Sequence, residues 1–576
     1  MIVGIDLGTT NSAVAYFSPD GPKLIPNALG EVLTPSVVGV DKDGGVLVGR
    51  AAKELQVTHP DRCASVFKRY MGSDWKAALA DRTFSPEELS SLVLRSLKSD
   101  AEAFLKTPVT RAVITVPAYF HEHQRKATIH AGEIAGFRVE RIFNEPTAAA
   151  IAYGFHESKE DRALVVLDLG GGTFDVSVVD FFDGVLEVRA SSGENFLGGE
   201  DFTRTMVARI IERQGSNFEH AEIMQPLLVS RLLQLCEKAK CQLSQKSEVS
   251  VRVPKSNGEL PADAESVTIT RAQFDLWTQT ILARLEMPIR RALGDARISP
   301  DKIDEVILVG GATRMPRLIE RVQELFGRQP HCRLNPDEVV ALGASVQAGL
   351  MARDAGVEDL VVTDVAPYTL GVEITREFAH EMRGGYFLPI INRNTTIPCS
   401  RAEQVSTVSP NQTQVNVRVY QGESRKVDGN ILLGEFELGG IPRGPAGQPI
   451  EIRFTYDLNG VLEVEATIVE TGKKVAHVVT RLTHGMSREK IAQAVAAMQH
   501  LKLHPREDAI NRYLLRHAER LYQELSIDMR RVLDRLLSGF EEALDLGDPA
   551  AIERHREAVR EFLQSVDPQS DTLGDS

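Results

Sequence analysis

Two stretches carry the residue types best suited to chemistry: GIDLGTTNSAVAYF at 4–17 and VLDLGGGTFDVSVVDF at 166–181. Each runs an apolar strand into Asp-Leu-Gly, then small residues, then a second strand. Glycines in such a turn let the backbone approach phosphate oxygens and aim successive N–H groups at them. Gly8 and Gly170, Gly171 and Gly172 supply that turn, and Thr9, Thr10 and Thr173 add hydroxyl donors. Asp6 and Asp168 would repel a phosphate unless Mg²⁺ lay between them, bound directly or through retained waters. Either stretch alone reads equally well as a glycine-rich hairpin turn, but the pair reads as two jaws around a nucleotide. A third motif, ILVGGATRMP at 307–316, has no acid at its crest and suits the sugar or base better than the metal. The chain holds no G-x-x-x-x-G-K-[ST] and no complete dinucleotide fingerprint.

The elements that must position these residues change character along the chain. Up to about residue 355, β-type runs (RAVITVP at 111–117, RALVVLDL at 162–169, DEVILVGG at 304–311) alternate with helical patterns. In SPEELSSLVLRSLKSDAEAFL, 85–105, Ser85 and Glu88 form a capping box. The alternation implies an α/β fold with buried sheets. From about 368 to 482 the pattern becomes short alternating strands, with Asn459-Gly460 suited to a hairpin turn, and so an all-β module. From Ser487 onward the period is helical, as at Met529, Val532, Leu533, Leu536, Leu537, Phe540 and Leu544.

Composition narrows the class. The 576 residues are 43% apolar and 25% charged, ordinary for globular proteins, and too many for one core. A net charge of −14 argues against nucleic acid as a partner. No segment reads as a membrane span, and Ile2–Ile5 running into Asp6 argues against a signal peptide. Cys63, Cys236, Cys241, Cys332 and Cys399 are scattered, which fits a reducing compartment without a disulfide frame or zinc site. A cytoplasmic protein is expected.

Taken in order, GIDLGTTNS, VITVPAYF, RIFNEPTAAAIAYG, DLGGGTFDVSVV, NFLGGEDF, VILVGGATRMP and LNPDEVVALGASVQAG resemble the motifs of the DnaK-type, seventy-kilodalton heat-shock chaperone family. The resemblance covers nearly the whole chain. It implies a multidomain protein: an actin-like ATPase of two duplicated, ribonuclease H-like lobes at 1–356, a linker at 357–366, a peptide-binding β-sandwich at 367–484, a helical lid at 485–566 and a tail at 567–576. The implied function is ATP-dependent capture of extended apolar peptide segments, with hydrolysis switching the clamp from fast exchange to tight binding. Cofactors would be ATP/ADP, Mg²⁺ and K⁺.

The resemblance also assigns residues. Asp6, Asp168 and Asp175 match the acids around Mg²⁺, water and potassium. Thr9, Thr10, Gly170, Gly171, Gly172 and Thr173 match phosphate contacts, and Gly8, Asn11, Gly198 and Gly199 match further nucleotide-binding positions. Lys68 matches the lysine that orients the attacking water, and Glu145 its partner carboxylate. Glu237, Lys240, Ser244, Gly310, Gly311, Arg314 and Asp337 match the adenosine contacts, with Cys241 standing where many relatives place arginine. Pro117 and Arg125 match a relay from the phosphate. Arg141, Asn144 and Thr147, placed together at a helix start, match with Asp364 the contact area for a J-domain co-chaperone. Leu360, Val361, Val362 and Asp364 match the linker, in which Thr363 departs from the usual leucine. Val372, Ile374, Thr375, Val405, Val408, Val415, Val417 and Val461 match the peptide groove, although period-two spacing suits ordinary sandwich core equally well; Thr375 and Val408 differ from the residues that commonly arch over peptide.

Only 44 residues separate Lys68 from VITVPAYF, the first lobe lacks strands that relatives carry, and the chain ends without EEVD. Those departures resemble the shorter bacterial HscC-type branch. An exchange factor stays open, a monomer is expected, and client identity is not legible. The alternatives are a small-molecule kinase or non-chaperone ATPase on the same fold, and a non-catalytic scaffold.

Overall fold

The computed structural model describes residues 1–576 except 43, 155–160, 183–184, 262, 332, 353–360, 379–380, 458–460, 479–513, 516–517, 519–521, 523–524, 526, 547–548 and 567–576. Leu360, the Asn459-Gly460 turn, the tail and the start of the helical module lie outside the described residues. The chain divides into two compact units. One comprises Met1–Phe155, Arg162–Val179 and Ala190–Glu358; the other comprises His156–Asp161, Asp180–Arg189 and Asp359–Ser576.

The first unit is built on two sheets that share a four-strand succession. In one, Arg138–Asn144, Arg111–Val116, Ile2–Asp6, Asn11–Ser18 and Gly21–Leu24 are successive neighbours. In the other the succession is Glu305–Val309, Arg162–Leu169, Phe174–Phe182 and Val185–Glu194. Ile2–Asp6 runs parallel to Arg111–Val116, and Arg162–Leu169 runs parallel to Glu305–Val309, with Asp168 opposite Val309. Both sheets are covered on two faces, which is why these strands read as unbroken apolar runs; Val3, Ile5, Val113, Ile114, Val165 and Val166 are fully buried. Each acid-bearing strand therefore ends at the same edge of its own sheet.

The helix Val339–Ala352 is apolar on all sides, as a helix with no solvent face must be. It packs on strand Ile2–Asp6 and on helix Glu145–Ala152. A Cβ at Gly343 would stand 1.8 Å from the carbonyl oxygen of Ala148, so only glycine permits this approach. Between Lys68 and strand Arg111–Val116 the chain forms one short hairpin, Ala77–Leu79 with Arg82–Phe84, and helix Pro86–Leu105, begun by the Ser85/Glu88 capping box.

In the second unit, two four-stranded antiparallel sheets share a core. One orders Glu381–Ile391, Leu370–Phe378, Gln414–Gln421 and Ile431–Gly439; the other orders Cys399–Ser406, Pro449–Tyr456, Leu462–Ile468 and Lys474–Val478. Side chains such as Leu370, Val419, Ile452, Phe454 and Val464 fill the space between them. Helices Ile527–Leu546 and Pro549–Val566 pack on each other through Leu533, Phe540, Leu544, Val559 and Leu563.

The described part of the segment expected to be a linker is paired. Val361–Val362 lies parallel to Val185–Leu186, and the Thr363 N–H donates to the Leu186 carbonyl at 3.0 Å. Asp364–Val365 then pairs antiparallel with Thr396–Ile397.

Candidate functional site

The two glycine turns face each other across a cavity of about 330 Å³. In the first turn, the Gly8 N–H donates to Ser12 Oγ at 3.1 Å and the Gly8 carbonyl accepts from Ser36 Oγ at 2.7 Å. In the second, Gly170 N–H closes on the Thr173 carbonyl at 3.2 Å. Helix Gly199–Arg213 starts directly behind it, with Gly199 and Glu200 N–H donating to the carbonyls of Gly170 and Gly171, each at 2.9 Å. A Cβ at Gly171 would lie 1.8 Å from Thr10 Oγ1, so the jaws meet glycine against threonine. Thr10 Oγ1 is buried without a hydrogen-bond partner among the described residues, a hydroxyl left for a ligand.

Lys68 and Glu145 come together, at 2.6 Å and almost entirely buried. Lys68 sits in the single 3₁₀ turn Phe67–Tyr70, entered through Val66 at φ 58°, where a β-branched residue is strained and must be held by its surroundings. Glu145 is the first residue of helix Glu145–Ala152, where the helix N-terminus favours its charge. The Lys68 ammonium also lies 5.7 Å from the Phe120 ring centroid.

Three carboxyls stand near this pair, and all are pushed upward. Burial and the nearby Glu145 charge raise Asp6 to about 7, against the opposing pull of Lys68 and a 3.2 Å hydrogen bond from Thr115. Burial and the Glu145 charge likewise raise Asp175 to about 7, although it accepts the Tyr119 N–H at 2.9 Å. Asp168 is raised well above its ordinary range by burial and then by its acidic neighbours Glu145, Asp175 and Asp6. Such crowding of buried like charges is what a divalent cation relieves. Among the described residues no three His, Cys, Asp or Glu side chains converge closely enough to ligate a metal directly. Asp6, Asp168 and Asp175 are the residues that would hold a Mg²⁺ accompanying phosphate, directly or through waters.

Of the sequence-derived nucleotide residues, Asp6, Gly8, Thr9, Thr10, Asn11, Lys68, Glu145, Asp168, Gly170, Gly171, Thr173, Gly199, Glu237, Lys240, Gly310, Gly311, Arg314 and Asp337 line the cavity. Gly172, Asp175, Gly198 and Ser244 do not. Gly172 is pinched against Thr9, Asp175 lies behind Asp168, Gly198 caps the helix start, and Ser244 caps the end of helix Pro226–Leu243. Lys240 Nζ is held by Glu237 Oε2 at 2.7 Å, the Gly199 carbonyl at 2.9 Å and Thr203 Oγ1 at 3.0 Å. Arg314 is an exposed cation held by Asn335 at 2.6 Å and Asp337 at 2.9 Å. Cys241 reaches the cavity with its thiol 3.6 Å from Glu237. Leu33, Glu200, Val309, Ala312, Pro336 and Val340 also line it without having been singled out; all but Leu33 lie inside the motifs NFLGGEDF, VILVGGATRMP and LNPDEVVALGASVQAG, which is where the signal for them was.

Arg125 lies on the expected route outward. Its guanidinium donates to the carbonyls of Ala118 at 3.1 Å and Phe120 at 3.0 Å, just after the buried Pro117, and to Asn144 Oδ1 at 2.7 Å, next to Glu145. The expectation that Arg141, Asn144 and Thr147 share a helix start is corrected. Arg141 lies in strand Arg138–Asn144 opposite Val113, and the helix begins only at Glu145, so strand pairing and not helix geometry places Arg141. In the sandwich, Val372, Val417 and Val461 are buried; Ile374, Val405 and Val415 pack partly buried against the core, Thr375 is half-buried and Val408 is exposed.

Comparison with known proteins completes the description. The family model described as "Hsp70 protein" matches residues 2–82 and 74–567. "Chaperone protein DnaK" of Thermosipho melanesiensis is 40% identical over 588 residues, covering 98% of this chain and 97% of that protein. The protein of the same name from Thermotoga neapolitana is 44% identical over 503 residues, covering 86% of this chain and 82% of its own length. A family match over nearly the whole length, two facing glycine turns and a buried lysine–carboxylate pair between them agree: the chain belongs to the Hsp70 family of ATP-hydrolysing chaperones.

Proposed function

We propose that ATP is hydrolysed in the 330 Å³ cavity and that the reaction switches peptide affinity in the β-sandwich. The observation that carries this reading is the buried 2.6 Å Lys68–Glu145 pair set among three carboxyls and two glycine turns. Phosphoryl transfer to water needs positioning and charge neutralisation more than covalent chemistry, and this arrangement offers both. Mg²⁺, when bound with the nucleotide, would neutralise phosphate charge. Thr9, Thr10, Thr173 and the Gly170–Gly172 turn would hold the phosphates, with Gly8 allowing their close approach, Lys68 would orient the attacking water, and Glu145 would fix Lys68. Gly310, Gly311, Arg314, Glu237 and Lys240 would hold the adenosine. K⁺ beside Asp6 and Asp175 belongs to the proposal on the strength of the resemblance alone.

The division into an actin-like ATPase at 1–356, linker at 357–366, sandwich at 367–484 and lid at 485–566 is part of the same reading. So are a J-domain partner touching Arg141, Asn144, Thr147 and Asp364, peptide contact through the outer valines of the sandwich, an exchange factor, and a monomeric cytoplasmic protein. Among the described residues no helix is long and apolar enough to cross a membrane. The HscC-type assignment has less behind it. The relatives compared above carry the name DnaK, which supports the family and not that branch.

The test is ATP-triggered release of a labelled extended peptide from the full chain, with Thr173→Ala as the variant that should hydrolyse poorly. Release on adding ATP, with slow return to tight binding in the variant, is expected. Peptide binding indifferent to nucleotide would sink the clamp mechanism.

A further inference from the structure

Arg69, next to the lysine that the sequence singles out, was not singled out itself, and its surroundings are unlike those of a surface cation. Its Nε donates to the Gly172 carbonyl at 2.8 Å, and its two terminal nitrogens fork onto Asp201 at 3.3 and 2.5 Å. The guanidinium is nearly buried. Asp201 is itself committed, because its Oδ2 accepts the Gly198 N–H at 2.8 Å at the start of helix Gly199–Arg213. That helix start is the one bonded to the carbonyls of Gly170 and Gly171. One side chain from the first sheet's half of the unit thus grips both pieces of the second half's phosphate cradle, the turn and the helix cap. A Cβ at Gly172 would come within 3.0 Å of Arg69 Nε, so the guanidinium is pressed directly on the turn.

Just beyond, the same two segments touch again. Tyr70 stacks on Trp75 with centroids 4.6 Å apart, and Phe196 meets Tyr70 edge-on at 6.3 Å. Phe196 is two residues ahead of the glycine pair at 198–199.

We propose that Arg69 is a positioning residue for hydrolysis: it fixes Lys68 relative to the Gly170–Thr173 cradle, so that the water-orienting ammonium and the phosphate-holding turn move as one. Arg69 and Lys68 share one 3₁₀ turn, four residues long, so any slip of Arg69 on Gly172 or Asp201 displaces the Lys68 ammonium relative to the cradle. A planar fork with three donors in use suits this task, and a lysine could satisfy only one or two of those acceptors at a time. The inference rests on the ATPase reading of the cavity.

The test is single-turnover hydrolysis by the full chain preloaded with Mg-ATP, alongside ATP affinity and thermal midpoint, for Arg69→Ala, Arg69→Lys, Asp201→Asn, the Arg69→Ala/Asp201→Asn double variant and Lys68→Ala. Misplacement of a reacting group by a fraction of an ångström to an ångström should lower the single-turnover rate about tenfold or more in Arg69→Ala, with ATP affinity changed much less. Arg69→Lys should fall between. Asn at 201 still accepts the Gly198 N–H but removes the ion pair; it should slow hydrolysis about threefold or more even where Arg69→Ala folds poorly, and the double variant should be no slower than Arg69→Ala. Wild-type hydrolysis in Asp201→Asn and Arg69→Lys, with only the thermal midpoint lowered, would overturn the inference and leave Arg69 a structural brace. Additive rate losses would overturn the pairing. Wild-type hydrolysis by Lys68→Ala would instead overturn the ATPase reading beneath it.

Discussion

His121 shows how a single residue carries a condition into the fold. It precedes helix Glu122–Ile134, its Nδ1 is buried without a partner among the described residues, and burial pushes its value down to about 4, helped by the charges of His123 and Arg125. A base depressed in the folded state gives stability that is present above its unfolded value of 6.5 and is lost as pH falls towards 4. The protein should therefore lose on the order of 2 kcal/mol between pH 7 and pH 4 through this one ring. His121→Asn, with urea unfolding at both pH values, should flatten that slope; an unchanged slope would remove His121 from the account. At this scale the sequence was uneven. Asp6, Thr10, Asp168 and Thr173 were legible because acid, glycine and hydroxyl occur together at a strand end. Arg69 was not, because an arginine beside a lysine reads as solvated charge until Gly172 and Asp201, more than 100 residues away, are seen against it.

Elements explain why the site can be so tightly made. The two sheets repeat a four-strand succession, and each delivers its acid and its glycine turn at the same strand end. That repetition was readable from the two echoing stretches, since buried parallel strands leave continuous apolar runs. The boundary at Glu145 was legible in Asn144 at the N-cap position and Pro146 in the first helical turn, which put Arg141 ahead of the helix, in the strand. Helix Val339–Ala352 shows the opposite case, where LGASVQAG looks featureless but its small residues allow backbone contact. Gly343→Ala should cost about 3 kcal/mol, because its Cβ would strike the Ala148 carbonyl in a packed interior. Gly294, in helix Glu286–Ala296, has nothing within 4 Å of the added carbon, and Gly294→Ala should be neutral or stabilising by up to about 1 kcal/mol. Urea midpoints of the two variants decide the matter; similar midpoints would mean that helix Val339–Ala352 has room to shift.

At the scale of the whole molecule, nucleotide and peptide must answer to each other. If ATP loosens peptide, peptide must weaken ATP by the same factor, and equilibrium titrations of each in the presence of the other should return one coupling constant. The sequence showed both ends of that exchange as separate textures, an α/β run and a β module, and the resemblance marked residues 357–366 between them, but not how those residues are paired. Residues 361–366, the described part of the proposed linker, contain a flaw. Thr363 is almost wholly buried, its N–H is paired with Leu186, and its hydroxyl has no hydrogen-bond partner among the described residues. An orphaned buried hydroxyl penalises the paired state by about 1–3 kcal/mol. Thr363→Val keeps the shape and removes the oxygen, so amide hydrogen exchange at residue 363 should slow by about tenfold or more; unchanged exchange would show that the oxygen finds a partner in solution. If this pairing opens and closes in the proposed cycle, one misplaced oxygen is a sensitive way to set how readily it lets go.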